Sequence, residues 1–518
     1  MRPSFDSGER FTSLALSARA AATAFEMRHD GGIRAAAHLA ILLLAAMACC
    51  AAPASAQNTG STGGGLAMPT LQPTLAIRYM IRTQGTSNDT LGQIMMYAGS
   101  SPSSIAGWQE CSGQVLAIAD NPALYAAIGS GFGGDGTTTF GLPDLRGRLP
   151  VGAGTGAGLA PWAQGQMSGA ESYTLTTSNM PSHAHTLPVS VEASGTTLAT
   201  GGGQAFGIRQ PSLGVSYITP LNGSVPSSGG GGSGYYGADP VVGQVSLTAR
   251  SAVPAGWAAC DGSIVSIAGN SSMYGIMGTT YGGNGTTTFA LPDLQGRAAI
   301  GQGVGGAGYL SPQALGQVGG VESVALTEAQ LPAHTHTIAP PPFQTGTTGL
   351  NQLVTMMQPT LGLNYIIAMV GAFPLDSGPL TDDGPYLGQI ALFSGTFAPD
   401  GWAFAQGQIL PVTGNQALFS RLGLTYGGNG STFFNLPDLR GTVAVGAGLG
   451  AGLSNWIIGD REGDESIQLL ESELPAHVHT VPEPTGVAML LAAAAIWAGC
   501  RTKARRATPR REAPRRRS

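Results

Sequence analysis

A chain of 518 residues has room for several domains, and its 42% hydrophobic content is enough to build their cores, which argues against wholesale disorder. Only 10% of the residues are charged, against about 25% in ordinary soluble domains, while glycine numbers 80. Between Gln57 and Cys500 there are 10 Arg, no Lys and 24 Asp plus Glu, a net charge of 10 − 24 = −14. That surface offers phosphates no basic patch and argues against nucleic-acid binding. A Gly- and Thr-rich chain with few charges suits a β-rich surface protein better than a cytosolic enzyme.

In chain order, residues 1–56 read as a signal peptide. Arg28 and Arg34 precede an apolar run, residues 35–52, and Pro53-Ala-Ser-Ala56 supplies the cleavage signal, with cutting expected after Ala56. Residues 57–90 are a Gly/Ser/Thr linker and a first apolar arm, Gln72-Pro-Thr-Leu75. The arm recurs as Gln210-Pro-Ser-Leu213 in the linker 187–242 and as Gln358-Pro-Thr-Leu361 in the linker 338–386. Behind each arm comes a module, at 91–186, 243–337 and 387–480.

Each module opens on a strand-like run beginning Gly-Gln (Gly92, Gly243, Gly388), followed by Gly-Trp at Trp108, Trp257 and Trp402. A short helix follows; in the first copy Asn121, Pro122 and Gly129 mark its cap, first turn and end. Next come a Gly/Thr loop and Leu-Pro-Asp-Leu, with Asp144, Asp293 and Asp438. A Glu-Ser mark (Glu171, Glu322, Glu465) and a His-x-His pair close the module. Marks recurring in one order at a near-constant period mean three copies of one unit, and the expected fold is mainly β with short helices.

No Gly-Lys-Ser/Thr follows the Gly-rich loops, so they read as turns. The Leu-Pro-Asp aspartates read as loop-ordering groups that bond nearby backbone N–H, and the tryptophans as packing on their own modules. Cys111 and Cys260 occupy a position filled by Ala405 in the third copy, which fits a small buried site and neither a disulfide nor a ligand. No nucleophile–base pair can be drawn, so no catalytic residue is assigned.

The histidines stand apart. Besides His29 and His38 in the leader, all six are His183, His185, His334, His336, His477 and His479. In extended chain, residues i and i+2 face one side, so each pair can aim two imidazoles at one point. The pairs read either as metal ligands or as three exposed polar turns kept by repeat duplication; were six neutral imidazoles to meet, they would suit an octahedral divalent ion, with Zn usually taking four ligands in structural sites and Fe, Ni or Co open.

These motifs together resemble the phage tail collar domain and its bacterial relatives, the microcystin-dependent protein group. The resemblance implies a small, mostly β, non-enzymatic module of tail fibres and surface proteins. Phage relatives carry one module per chain and trimerise, with His-x-His of three chains around one metal ion on the axis. This chain carries three modules, so the expectation is an intramolecular pseudo-trimer with its six histidines converging on one structural ion; a homotrimer of chains or modules strung as beads are the alternatives.

Residues 481–518 hold Pro482-Glu-Pro484, an apolar run and an arginine cluster, and resemble the PEP-CTERM sorting signal. That resemblance implies processing by an exosortase, transient membrane attachment through this segment, and delivery to the surface of a Gram-negative bacterium. The expected role is structural or adhesive, with a surface glycan or extracellular matrix as partner. A component of a phage-derived tail is the second reading. A metal-dependent hydrolase is the third, disfavoured because six ligands leave no open position for water.

Overall fold

The computed structural model describes residues 57–85, 90–99, 105–187, 196–227, 240–304, 310–338, 343–375 and 385–481. The expected leader, 1–56, and the sorting segment beyond Val481 lie outside them. There are two compact units. The larger, Gly60–Thr186 and Ala199–His479, holds the modules. In the smaller, Gln57 and Asn58 pair antiparallel with Val481 and Thr480.

The apolar arms become the longest strands, Thr74–Arg82, Ser212–Pro220 and Thr360–Ala368, nearly all buried. A continuous apolar run is what a strand covered on both faces requires. Each arm serves two modules. Its second half pairs antiparallel with the opening strand of the module that follows, as in Ile81↔Ile94, Ile218↔Ser246 and Ile367↔Ile390. Its first half pairs in parallel with a strand of a different module. Arm two lies along Leu149–Gly152 of module one, arm three along Ala298–Gly301 of module two, and arm one along Val443–Gly446 of module three. The pairing therefore runs in a closed cycle.

The opening strands also pair with one another, through Leu247↔Ile94, Val245↔Leu392 and Ile390↔Met96. Tyr79, Tyr217 and Tyr365 share one core cluster with residues of all three modules. Their hydroxyls donate to the carbonyls of Ala444, Pro150 and Ala299, each at 3.0 Å and each in another module. Burial pushes all three phenols above their ordinary pKa, so they remain protonated donors.

The Leu-Pro-Asp-Leu motif proves to be an inter-module dock. The amides of Gly147, Gly296 and Gly441 donate to the carbonyls of Gly446, Gly152 and Gly301, at 2.7, 2.8 and 2.8 Å. The approach is close: a Cβ on Gly446, Gly152 or Gly301 would lie 1.9, 2.0 or 1.8 Å from the carbonyl oxygen of Leu145, Leu294 or Leu439. The motif's aspartates accept backbone N–H from Arg146, Gln295 and Arg440, as the sequence implies. They also bind arginines, Asp144 to Arg146 and Arg148, Asp293 to Arg297, and Asp438 to Arg440. The Glu-Ser marks are clasps in the same cycle. Glu171 accepts from the Ser454 amide, Glu322 from Ala160 and Glu465 from Ser311.

Within a module, the three helices are seven residues each, Pro122–Ile128, Ser271–Met277 and Gln416–Leu422. Each buries an i, i+4 pair: Leu124 and Ile128, Met273 and Met277, Leu418 and Leu422. Helices this short depend on that packing. The Gly/Thr loops are turns built on one side chain. Asp135 Oδ1 accepts from the amides of Thr137, Thr138 and Thr139, and Asn284 and Asn429 repeat the pattern. Cys111 and Cys260 are free and buried, and Ala405 is buried likewise. Trp108 packs with Met95, Tyr97 and Ile105 of its own module, and also meets Tyr386, just ahead of module three, edge-on at 6.3 Å.

Candidate metal centre

Each His-x-His segment is extended and pinned from both sides. On the carboxyl side of Met180, Leu331 and Leu474, which form a fully buried apolar cluster, a proline turns the chain. Residues ahead of the next arm then bridge to it: His183↔Thr200, His334↔Thr348 and Thr62↔His477. The straps thus belong to the site. The linker at 57–67 reads from composition as loose chain, yet its Thr62 amide donates to the His477 carbonyl at 3.1 Å and its Thr62 carbonyl accepts from the His477 amide at 3.0 Å.

All six histidines meet. His183, His334 and His477 form one triangle, with every ring-centre separation 5.3 Å. His185, His336 and His479 form a second, with separations of 4.8 Å. Members of one pair lie 5.4, 5.5 and 5.4 Å apart. The remaining contacts are His183–His479 at 4.7 Å, His185–His334 at 4.8 Å and His336–His477 at 4.7 Å. Every ring therefore has four near neighbours and one opposite, His336 for His183, His477 for His185 and His479 for His334. That is the connectivity of an octahedron. Six Nε2 atoms at a metal–nitrogen distance of about 2.1 Å would place adjacent ring centres roughly 4.6 Å apart, so the cage is slightly wider than a coordinated one.

The hydrogen bonds select the ligand atom. Nδ1 of His183, His334 and His477 contacts the carbonyl two residues back, on Pro181, Pro332 and Pro475, at 3.0, 2.8 and 3.0 Å. Nδ1 of His185 and His336 contacts Gly346 O at 2.8 Å and Gly60 O at 2.9 Å. A carbonyl can only accept, so Nδ1 carries the proton and the Nε2 lone pair is left over. Nε2 of His183, His334, His336 and His477 is buried with no hydrogen-bond partner. Four such atoms in a site at most 4% exposed are costly unless something satisfies them.

Burial lowers the pKa of His185 and His477 to about 4 and of His336 to about 3, and lowers those of His183 and His334; neighbouring imidazoles act in the same direction. These five rings are thus neutral at physiological pH, the form that binds metal. Among the described residues no carboxylate joins the candidate ligand groups.

Three modules whose strands pair in a closed cycle thus bring six histidines together at one point within a single chain. The phage tail collar domain family matches residues 92–150, 243–299 and 388–444, three matches in tandem, which suggests a phage tail- or fibre-like structural protein. The matched spans end before the His-x-His pairs, so the cage stands on the geometry alone. No curated protein and no solved structure matches the chain. Among the described residues no helix is long and apolar enough to cross a membrane.

Proposed function

We propose that this is an exported cell-surface structural or adhesion protein, a single-chain counterpart of a threefold fibre module, with one divalent ion held by His183, His185, His334, His336, His477 and His479. The octahedral meeting of six imidazoles carries the reading. The ion supplies cross-linking between the three modules. With six protein ligands it keeps no position for substrate or activated water, which supports a non-enzymatic role. Octahedral nitrogen ligation favours Fe, Ni or Co over Zn. Metal analysis of the purified protein tests this: about one ion per chain is expected, and no bound ion would reject the centre.

Export rests on the leader at 1–56 and the Pro-Glu-Pro tail. The mature protein is expected to start near Gln57 and to lack the arginine cluster, with an exosortase as processing partner. Mass spectrometry of surface material checks this, and peptides from Arg505–Ser518 would sink the processing. The collar domains also favour a second reading, a part of a phage-derived tail. Recovery in sedimenting tail-like particles instead of the envelope fraction would favour it. Glycan-array binding by the mature protein tests the adhesive role.

A further inference from the structure

The cycle of modules has three equivalent seams, and one of them is chemically unlike the other two. Where residues 168–173 of module one meet the starts of arms one and two lies a cleft of about 220 Å³, lined in part by Thr70, Ser168, Ser172, Tyr173, Arg209 and Glu322. The repeat places Ile208, Val324 and Met357 at the counterparts of Thr70, Tyr173 and Arg209 in one sister seam, and Met356, Ile467 and Leu71 in the other. Two seams of three are thus built from apolar side chains at these positions, so the fold itself does not require the polar set.

Arg209 lies over the Trp162 ring, 4.9 Å from its centre, and its Nη2 donates to Glu322, which also accepts the Ala160 amide. The Arg209 side chain is only 10% exposed, and its buried Nη1 has no hydrogen-bond partner. An unsatisfied nitrogen in a buried site costs free energy until an acceptor meets it, and the cleft is where one can arrive. Tyr173 is backed by Phe206, the two rings stacked at 5.1 Å and 22°, so it forms a firm aromatic wall. Ser168 and Ser172 are exposed beside it. Glu322 balances the charge of Arg209, and residues 57–500 carry a net charge of 10 − 24 = −14, so nothing here draws in an anion. A concave site with an aromatic wall and a few fixed polar groups is the pattern of small-molecule recognition. With no net charge, these groups suit a sugar ring, whose C–H face packs on an aromatic ring while its hydroxyls exchange hydrogen bonds.

We propose that this cleft binds a neutral pyranose of a surface polysaccharide, with Arg209 and the two serines bonding its hydroxyls and Tyr173 packing against its ring. The inference deepens the adhesive role above and rests on it. The test is saturation-transfer NMR of the mature protein with the methyl glycosides of glucose, galactose, mannose and N-acetylglucosamine, and with that of glucuronic acid as the charged comparison. At least one neutral glycoside is expected to bind, and Arg209→Leu and Tyr173→Ile are each expected to weaken it about tenfold, through loss of a charged donor or of an aromatic contact. Both substitutions install a residue that a sister seam already uses. Leu71 packs on the cluster that holds Trp456, the counterpart of Trp162, and Ile467 packs on the cluster of Val354 and Leu469. The melting temperature is therefore expected to hold in both variants, and each stands as the readout should the other misfold. Binding that survives both substitutions, or that glucuronate alone shows, would overturn the cleft. A wild-type protein that binds no glycoside yet still attaches to intact cells would remove the cleft and keep the adhesive role; one that does neither would remove both.

Discussion

Stripping the ion from the wild-type protein is expected to lower its stability by about 4 kcal/mol if free metal had stood a thousandfold above the dissociation constant. The metal-free cage then becomes a pH sensor. Burial disfavours the imidazolium and holds His183 and His334 below the ordinary value near 6.5, His185 and His477 at about 4 and His336 at about 3. With folded pKa values below unfolded ones, the unfolded chain takes up protons first as pH falls. The cage's contribution is therefore fully present above about pH 6.5 and is lost progressively as pH drops through 6.5 toward 4 and 3. Thermal melts of chelated protein between neutral and acid pH read this directly. Replacing His185, His336 and His477 together with Leu is expected to flatten the acid limb. A chelated protein whose melting point ignores pH would contradict the account.

Gly301→Val is expected to be among the most damaging single substitutions in the chain. Its Cβ would lie 1.8 Å from the Leu439 carbonyl oxygen, a backbone atom that cannot rotate aside. The parallel pairing of Ala298–Gly301 with the third arm and the Gly441 amide bond to Gly301 would both have to yield. Overpacking usually costs about 1–3 kcal/mol, and a clash between two backbones belongs at or beyond the upper end. Because the contact joins modules two and three, metal retention should fall along with the melting temperature. Val at the equivalent Gly152 and Gly446 should behave alike. A Gly301→Val protein that melts like wild type and keeps its ion would show that the modules do not close on one another as described.

The three modules, the β-rich character, the short capped helices and the six histidines as a set are all legible in the sequence. They rest on local signals: repeated marks, turn chemistry, an i, i+2 spacing, and buried positions where Cys111, Cys260 and Ala405 interchange. The Asx turns at Asp135, Asn284 and Asn429 are of the same kind, since each side chain bonds amides within four residues.

Only the tertiary structure decided what joins to what. An apolar arm such as Thr74–Arg82 carries no mark of the partner on its far edge, and that partner, Val443–Gly446, lies at the other end of the chain. Nor does Gly60 show in sequence that its carbonyl will orient His336. Composition reads residues 57–67 as loose linker because it registers the flexibility of Gly, Ser and Thr, but not the hydrogen bonds their backbones find once other modules surround them. The distance between two histidine pairs is likewise a property of module packing: the same three His-x-His segments would serve a string of separate modules equally well. Burial against Met180, Leu331 and Leu474, and the cycle of arms, docks and clasps, bring them to one point. Local chemistry is written in neighbouring residues, whereas closure of the ring depends on surface complementarity between segments hundreds of residues apart, which one sequence does not display.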